Sequence, residues 1–353
     1  MWRRLLHWGA CISVALIGLI SFIGLTTFHQ SSWSPQKEWR AHKQLITSIA
    51  FSPDGKFLVS GSLDKTVKVW RVKDEHLERL FQHTHWVNSV AFSPDGQLLA
   101  VGCWDGVIRL WRIKNGKIIR ELKGHQDIVT IVAFSSQNLA SGGRDGIIKF
   151  WQIGQWKSVR TIKVNKGIIN SLTFSPNEQI LASGSSDGIV KIWDVLDGKL
   201  LNTLNIKSLV LCTIFSNDGS LLAVSLGAPD NKIMIWQVTN GSIRLKFVLR
   251  DHRGPVRSVV FSPDSQLLAS TGTGDFTVRL WKVSEGKTVQ QYSTPGAFMY
   301  RLAYQLERLT RLPLRQILKV QTPPWAMCLA FSPDGKFLAA GFTDGSLKLW
   351  RVK

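Results

Sequence analysis

Seven stretches of this chain repeat one pattern, and that repetition restricts its fold more than any other property. Phe51–Trp70 reads FSPDGKFLVSGSLDKTVKVW: two apolar runs broken by the turn SPDG, a second turn at Ser62–Lys65, and an alternating run ending on Trp70. Edited copies begin at Phe92, Phe134, Phe174, Phe215, Phe261 and Phe331 and close on Trp111, Trp151, Trp193, Trp236, Trp281 and Trp350, at intervals of about 40 to 46 residues with one larger gap. A period of this kind means units that cannot bury their apolar faces alone and stack on neighbours around a shared core. The 353 residues are therefore read as one repeat array and not as two ordinary domains.

Strand signals recur inside each copy. Leu45–Phe51 alternates, Lys56–Ser60 is apolar, and Thr66–Val72 alternates with Val67 and Val69 on one side. A further strand, such as Lys117–Leu122 after the turn Asn115-Gly116, separates one tryptophan from the next copy. Four short strands per unit, punctuated about every 8–12 residues, predict an all-β array of seven blades around an axis. SPDG stands in full at Ser52–Gly55, Ser93–Gly96 and Ser332–Gly335, where proline presets φ and glycine accepts positive φ. A spare fourth-strand segment, Lys37–Ala41, precedes the first copy, and the last copy ends after its third strand. Pairing Lys37–Ala41 with Ser346–Lys353 closes the ring and removes open sheet edges.

Polar residues recur in phase with the strands. An aspartate stands six residues before every closing tryptophan: Asp64, Asp105, Asp145, Asp187, Asp230, Asp275 and Asp344. A histidine stands nine before the phenylalanine in four copies (His42, His83, His125, His252), where Asn165, Ile206 and Thr322 hold the other three positions. Ser60, Ser141, Ser183 and Ser270 lie on the second strand. With these residues in place, residues 37–353 resemble the WD-repeat β-propeller family. The resemblance implies a His–Ser–Asp–Trp hydrogen-bond chain inside a blade, complete here for His42, Ser60, Asp64 and Trp70; for His125, Ser141, Asp145 and Trp151; and for His252, Ser270, Asp275 and Trp281. It also implies peptide binding over the axial channel. The chain departs from the family at the final dipeptide, which only Trp193-Asp194 keeps, and repeat five lacks both histidine and serine.

Residues 1–28 are read as a signal anchor. Gly9–Leu25 carries no charge, Arg3 and Arg4 precede it, and the next charge is Lys37. Trp8–Phe28 as a helix would reach about 31 Å, enough to cross a hydrocarbon core of roughly 30 Å. The basic flank places the N-terminus in the cytoplasm and the propeller outside; secretion after signal cleavage is the alternative. Residues 29–36 form a tether. Cys103, Cys212 and Cys328 fall in repeats that are not neighbours, and with Cys11 in the apolar run the four read as small hydrophobes, not a disulfide or metal set.

Catalysis is not expected. A Ser, His and Asp that recur in several blades are framework, since an active site is needed once. The remaining histidines have no ligand spacing, and Ser183–Gly188 opens no helix that could hold a phosphate, so no metal or cofactor is assigned. The net charge of +20 admits anionic lipid, nucleic acid or acidic protein as partners. Part of it is a repeat feature: Lys68, Arg109, Lys149, Lys191, Arg279 and Lys348 each stand two before a tryptophan. Arg71, Lys73, Arg112, Lys114, Lys282, Arg351 and Lys353 extend this toward one face, where the tether enters, and that face is expected to meet anionic lipid. The opposite face carries Trp86, Trp104, Arg144 and Trp325 outside the hydrogen-bond chain, and tryptophan with arginine is the usual make-up of a binding hot spot. The long gap holds an insertion at about 294–324. Phe298–Arg311 reads as a basic amphipathic helix with Leu302, Leu306 and Leu309 on one stripe, and Arg315–Val320 as a strand. The chain is thus expected to be a membrane-tethered, non-catalytic scaffold for a protein or peptide partner. Nucleic-acid or anionic-lipid binding and a membrane-anchored hydrolase are the alternatives.

Overall fold

The computed structural model describes residues 33–164, 167–239 and 242–352. The apolar N-terminal run with Cys11, residues 29–32 of the tether, Asn165 and Lys353 lie outside them. Among the described residues, no helix is long and apolar enough to cross a membrane.

Seven four-stranded antiparallel sheets form the blades. Blade one runs from an inner strand, Ile46–Phe51, through Phe57–Ser62 and Thr66–Arg71 to an outer strand, Leu77–Gln82. Its second strand is buried almost throughout, while the outer strand exposes Leu77 and Leu80. The inner strands contact one another in sequence, and Ile46–Phe51 meets Ala326–Phe331 to complete the circle. Each described apolar cluster joins two adjacent blades. Val59, Val67 and Val69 pack on Val87, Val90 and Leu99, for example, and Ala41, Ile46 and Leu58 pack on Ala339 and Leu347. The hydrophobic stabilisation therefore resides between blades, as a sum over neighbours.

Each inner strand carries a bulge after its first residue, as between Ile46 and Ser48 or Val87 and Ser89. In blades one to four the bulged residue bonds a carbonyl of the next inner strand. Thr47 Oγ1 donates to Val87 O at 2.8 Å, Asn88 Nδ2 to Val129 O at 3.1 Å, Asn170 Nδ2 to Val210 O at 2.8 Å, and Thr130 Oγ1 to Ile169 O. Leu211 and Met327, at the equivalent positions of blades five and seven, have no donor to offer.

The ring closes through the N-terminal strand Lys37–Arg40, which pairs with Ser346–Arg351 so that Lys37 faces Leu349 and Arg40 faces Ser346. Just before it, Trp33 is buried against Trp350, with ring centroids 5.5 Å apart. The N–H groups of Ala41 and His42 both donate to Gly345 O at 2.9 Å. Gly345 has φ +83°, and a Cβ there would collide with the His42 carbonyl, so this junction requires glycine.

The insertion leaves blade six after its outer strand, Lys287–Ser293, and forms helices α1 (Ala297–Thr310) and α2 (Leu314–Ile317). One expectation is corrected here. Arg315–Val320 is not a strand: Pro313 starts a helical turn, and Glu307 draws it back by accepting from the Arg315 backbone N–H and guanidinium, both at 2.6 Å. Along α1, Ala297 and Ala303 are buried and Leu302 and Leu306 half-buried, while Leu309 is 80% exposed.

Candidate functional site

In blade one the recurring polar residues meet. Trp70 Nε1 donates to Ser60 Oγ at 2.9 Å, Ser60 Oγ lies 2.7 Å from His42 Nε2, and His42 Nδ1 lies 3.0 Å from Asp64 Oδ2. An indole N–H can only donate, so the serine oxygen accepts it and its own O–H donates to Nε2, leaving Nδ1–H to donate to the carboxylate. Blade three repeats the arrangement with His125, Ser141, Asp145 and Trp151, and blade six with His252, Ser270, Asp275 and Trp281, at 2.7–3.0 Å. Burial opposes the charge on Asp64 and Asp275, but hydrogen bonds from the histidine and a neighbouring threonine outweigh it, holding Asp64 well below the ordinary carboxylate range and lowering Asp275 as well. These groups are occupied with each other and tie loop, second strand, turn and third strand into one blade.

In blade two the chain is broken for a visible reason: Val101 replaces the serine. Trp111 Nε1 and His83 Nε2 consequently have no partner among the described residues, and Asp105 turns to Arg109 at 2.7 Å. Burial, with Arg109 nearby, pushes the His83 pKa down to about 4. The unfolded chain binds that proton more readily, so this group's contribution is fully present above about pH 6.5 and is lost as pH falls toward 4. Urea unfolding between pH 7 and 4 is expected to show a loss of about 2–3 kcal/mol attributable to His83. His83→Gln should remove that portion of the slope, and an unchanged slope would refute the assignment.

The face that carries the histidine loops and aspartate turns holds the four candidate contact residues. Trp86 and Trp104 touch edge to face, with centroids 4.4 Å apart, and each remains about 40% exposed. The Trp104 N–H donates to Trp86 O at 3.0 Å, and its indole donates to Asn88 Oδ1 at 2.6 Å. Since Asn88 also bonds Val129 in the next blade, the pair is anchored to the inner ring. The other two stand apart from this pair. Trp325 is half-buried against Phe276, 6.0 Å away, beside Tyr300 of α1. Arg144 is exposed, with Asp127 at 4.0 Å. Cys103 and Cys328 are buried and Cys212 half-buried, all as free thiols; burial pushes those of Cys103 and Cys328 up to about 12.

The basic residues are less available than their number suggests. On the third strands, Lys68 Nζ donates to Ala41 O at 2.5 Å, Lys191 Nζ to Val164 O at 2.7 Å, and Lys348 sits between Glu38 at 2.9 Å and Tyr292 at 3.0 Å. At the opposite rim Arg71 pairs with Asp74 and Glu78, and Lys282 with Glu285. Sequence reasoning missed a second group of arginines, Arg253, Arg279 and Arg301, which line one cavity with Asp251 and Asp275. Only the placement of α1 brings Arg301 to them.

Comparison with known proteins finds six repeats where the structure has seven blades. The profile described as "WD domain, G-beta repeat" matches residues 33–71, 75–112, 116–152, 156–194, 243–282 and 315–351. The unmatched residues 195–242 hold the first three strands of the blade lacking both histidine and serine, which nevertheless forms all four. The chain is similar to the small ribosomal subunit protein RACK1y of rice, at 32% identity over 40% of this chain and 48% of that protein. It is also similar to eukaryotic translation initiation factor 3 subunit I of Scheffersomyces stipitis, at 30% identity over 37% of this chain and 45% of that one. A third relative, periodic tryptophan protein 2 of Arabidopsis thaliana, is 34% identical over 36% of this chain and 11% of its own length. The matched stretches thus span less than half of each relative. The profile covers well over half of the described propeller, and the chain belongs to the WD-domain, G-beta-repeat family.

Proposed function

We propose that the protein is a membrane-tethered scaffold whose histidine-loop face docks an extended segment of a protein partner, with Trp86 and Trp104 as the anchor. The observation that carries this reading is the pair itself: two large aromatic rings, each about 40% exposed, held in a fixed edge-to-face contact by a hydrogen bond to the inner ring. Rigid aromatic surface of this kind offers contact area with little side-chain entropy to lose. The charge-free Gly9–Leu25 run behind Arg3 and Arg4 supports the tether, with the N-terminus in the cytoplasm and the propeller outside. The ion pairs of Arg71 and Lys282 weaken the case for anionic lipid at the opposite rim.

One purification tests both halves. The full-length chain should stay with membranes through an alkaline carbonate wash. After detergent extraction, a co-purifying protein should be reduced at least about tenfold by Trp86→Ala/Trp104→Ala, with the thermal midpoint unchanged. Release by carbonate removes the tether, and equal recovery of the partner with the double variant removes the docking site.

A further inference from the structure

Of the basic residues that stand two before the closing tryptophan in six blades, most find close partners in their own region of the ring, as Lys68, Lys191 and Lys348 do. Arg109 reaches Asp105 at 2.7 Å and Glu121 at 3.0 Å. Arg279, the equivalent in blade six, departs from this. Its nearest paired carboxylate oxygen, on Asp251, is 3.9 Å from Nη1, beyond hydrogen-bonding distance. Its buried Nε has no partner among the described residues, although the side chain is only 13% exposed.

Beside it lies a cavity of about 620 Å³ between α1 and blade six, into which Arg253 and Arg301 also converge. Arg301 reaches it from α1 and is held there by donating to Asp275 O at 3.0 Å. Two carboxylates share the lining, but both are already engaged. Asp275 faces His252 Nδ1 at 3.0 Å and the Arg253 N–H at 3.1 Å, and Asp251 accepts from Thr288 Oγ1 at 2.7 Å. Burial lowers the pKa of Arg279 and of Arg301, and repulsion from Arg253 acts in the same direction on both. Two half-buried guanidiniums, of Arg279 and Arg301, and the exposed one of Arg253 therefore line one space with more N–H donors than the described residues satisfy. A guanidinium presents paired donors in a rigid plane that matches two oxygens of one anion, and three of them exceed what one carboxylate can accept.

The geometry points to an anion-binding site between the inserted helix and blade six, formed by Arg253, Arg279 and Arg301, whose ligand is a phosphate group, free or carried as a monoester. Tetrahedral oxygens can accept from several forks at once, and a charge near −2 at neutral pH offsets the excess of cations. The site is separate from the Trp86–Trp104 pair and does not depend on the docking reading.

The test uses the full-length chain in detergent at fixed ionic strength. Calorimetry follows titration with inorganic phosphate, with a serine-phosphorylated pentapeptide, and with the same peptide unphosphorylated. Saturable binding of phosphate is expected, together with a higher thermal midpoint than in chloride of equal ionic strength. Arg301→Gln and Arg279→Gln should each weaken it at least about tenfold, while Arg144→Gln leaves it unchanged. Tighter binding of the phosphopeptide than of phosphate identifies a ligand delivered on a chain, and equal binding identifies the free anion. No saturable binding, or equal affinity in variants with wild-type circular dichroism, overturns the assignment. If Arg279→Gln does not fold, Arg301→Gln decides the matter, because its side chain comes from the insertion and not from a blade.

Discussion

Asp275→Ala is expected to destabilise the propeller by about 3–5 kcal/mol, the cost of removing one partner from a buried charged network. The side chain of Asp275 is 1% exposed and faces His252 Nδ1, the Arg253 N–H and Thr277. Alanine would strand all three and would remove a carboxylate whose charge offsets those of Arg279 and Arg301. Asp344 stands at the same place in blade seven but is exposed and bonds only within its own turn, to the backbone and hydroxyl of Ser346. Asp344→Ala should cost about 1 kcal/mol or less. Urea unfolding monitored by tryptophan fluorescence gives both values. If the two losses are alike, the hydrogen-bond chain of blade six does not carry the stability assigned to it.

The second large effect concerns closure. A chain beginning at Ala41 should lose more than about 4 kcal/mol relative to one beginning at Trp33. The eight missing residues include Trp33, 5% exposed against Trp350, and truncating a buried tryptophan costs about 3–5 kcal/mol by itself. They also include the whole pairing of Lys37–Arg40 with Ser346–Arg351, and Glu38, whose carboxylate meets the buried Lys348 at 2.9 Å. The shorter chain should further expose the edge of Ser346–Arg351 to proteolysis, with early cuts in blade seven by mass spectrometry. Identical unfolding midpoints for the two chains would mean that the ring does not need this strand.

The blades were legible because their information is local and repeated. The SPDG turns, the alternating third strands and the phenylalanine–tryptophan period recur often enough that edits such as Ser135-Ser136-Gln137-Asn138 do not obscure the pattern. Closure was legible from phase alone, as a spare strand at one end and a missing one at the other. The insertion was half legible. Apolar spacing placed a helix near Phe298–Arg311, and Ala297–Thr310 forms one, but the face it buries depends on how closely it approaches blade six, which no periodicity records. The same limit hid the arginine cavity. Arg253, Arg279 and Arg301 lie on a loop, a strand and the inserted helix, and each looked like an ordinary basic residue until the fold brought them together. Trp325 shows the opposite case: it resembled Trp86 by position, six before its phenylalanine, and was drawn away by Phe276 and the insertion.

A ring latched by its first strand and its last has a consequence for the order of synthesis. Lys37–Arg40 is among the earliest of the described segments to leave the ribosome, yet its hydrogen-bonding partner, Ser346–Arg351, is made more than 300 residues later. Blades one to six can form as they emerge, each on the one before. During that time the early strand has nothing to pair with, and the apolar face of blade one that packs on blade seven stays bare. The nascent protein is thus an open arc with two sticky ends for most of its translation, and only the last blade converts it into a closed one.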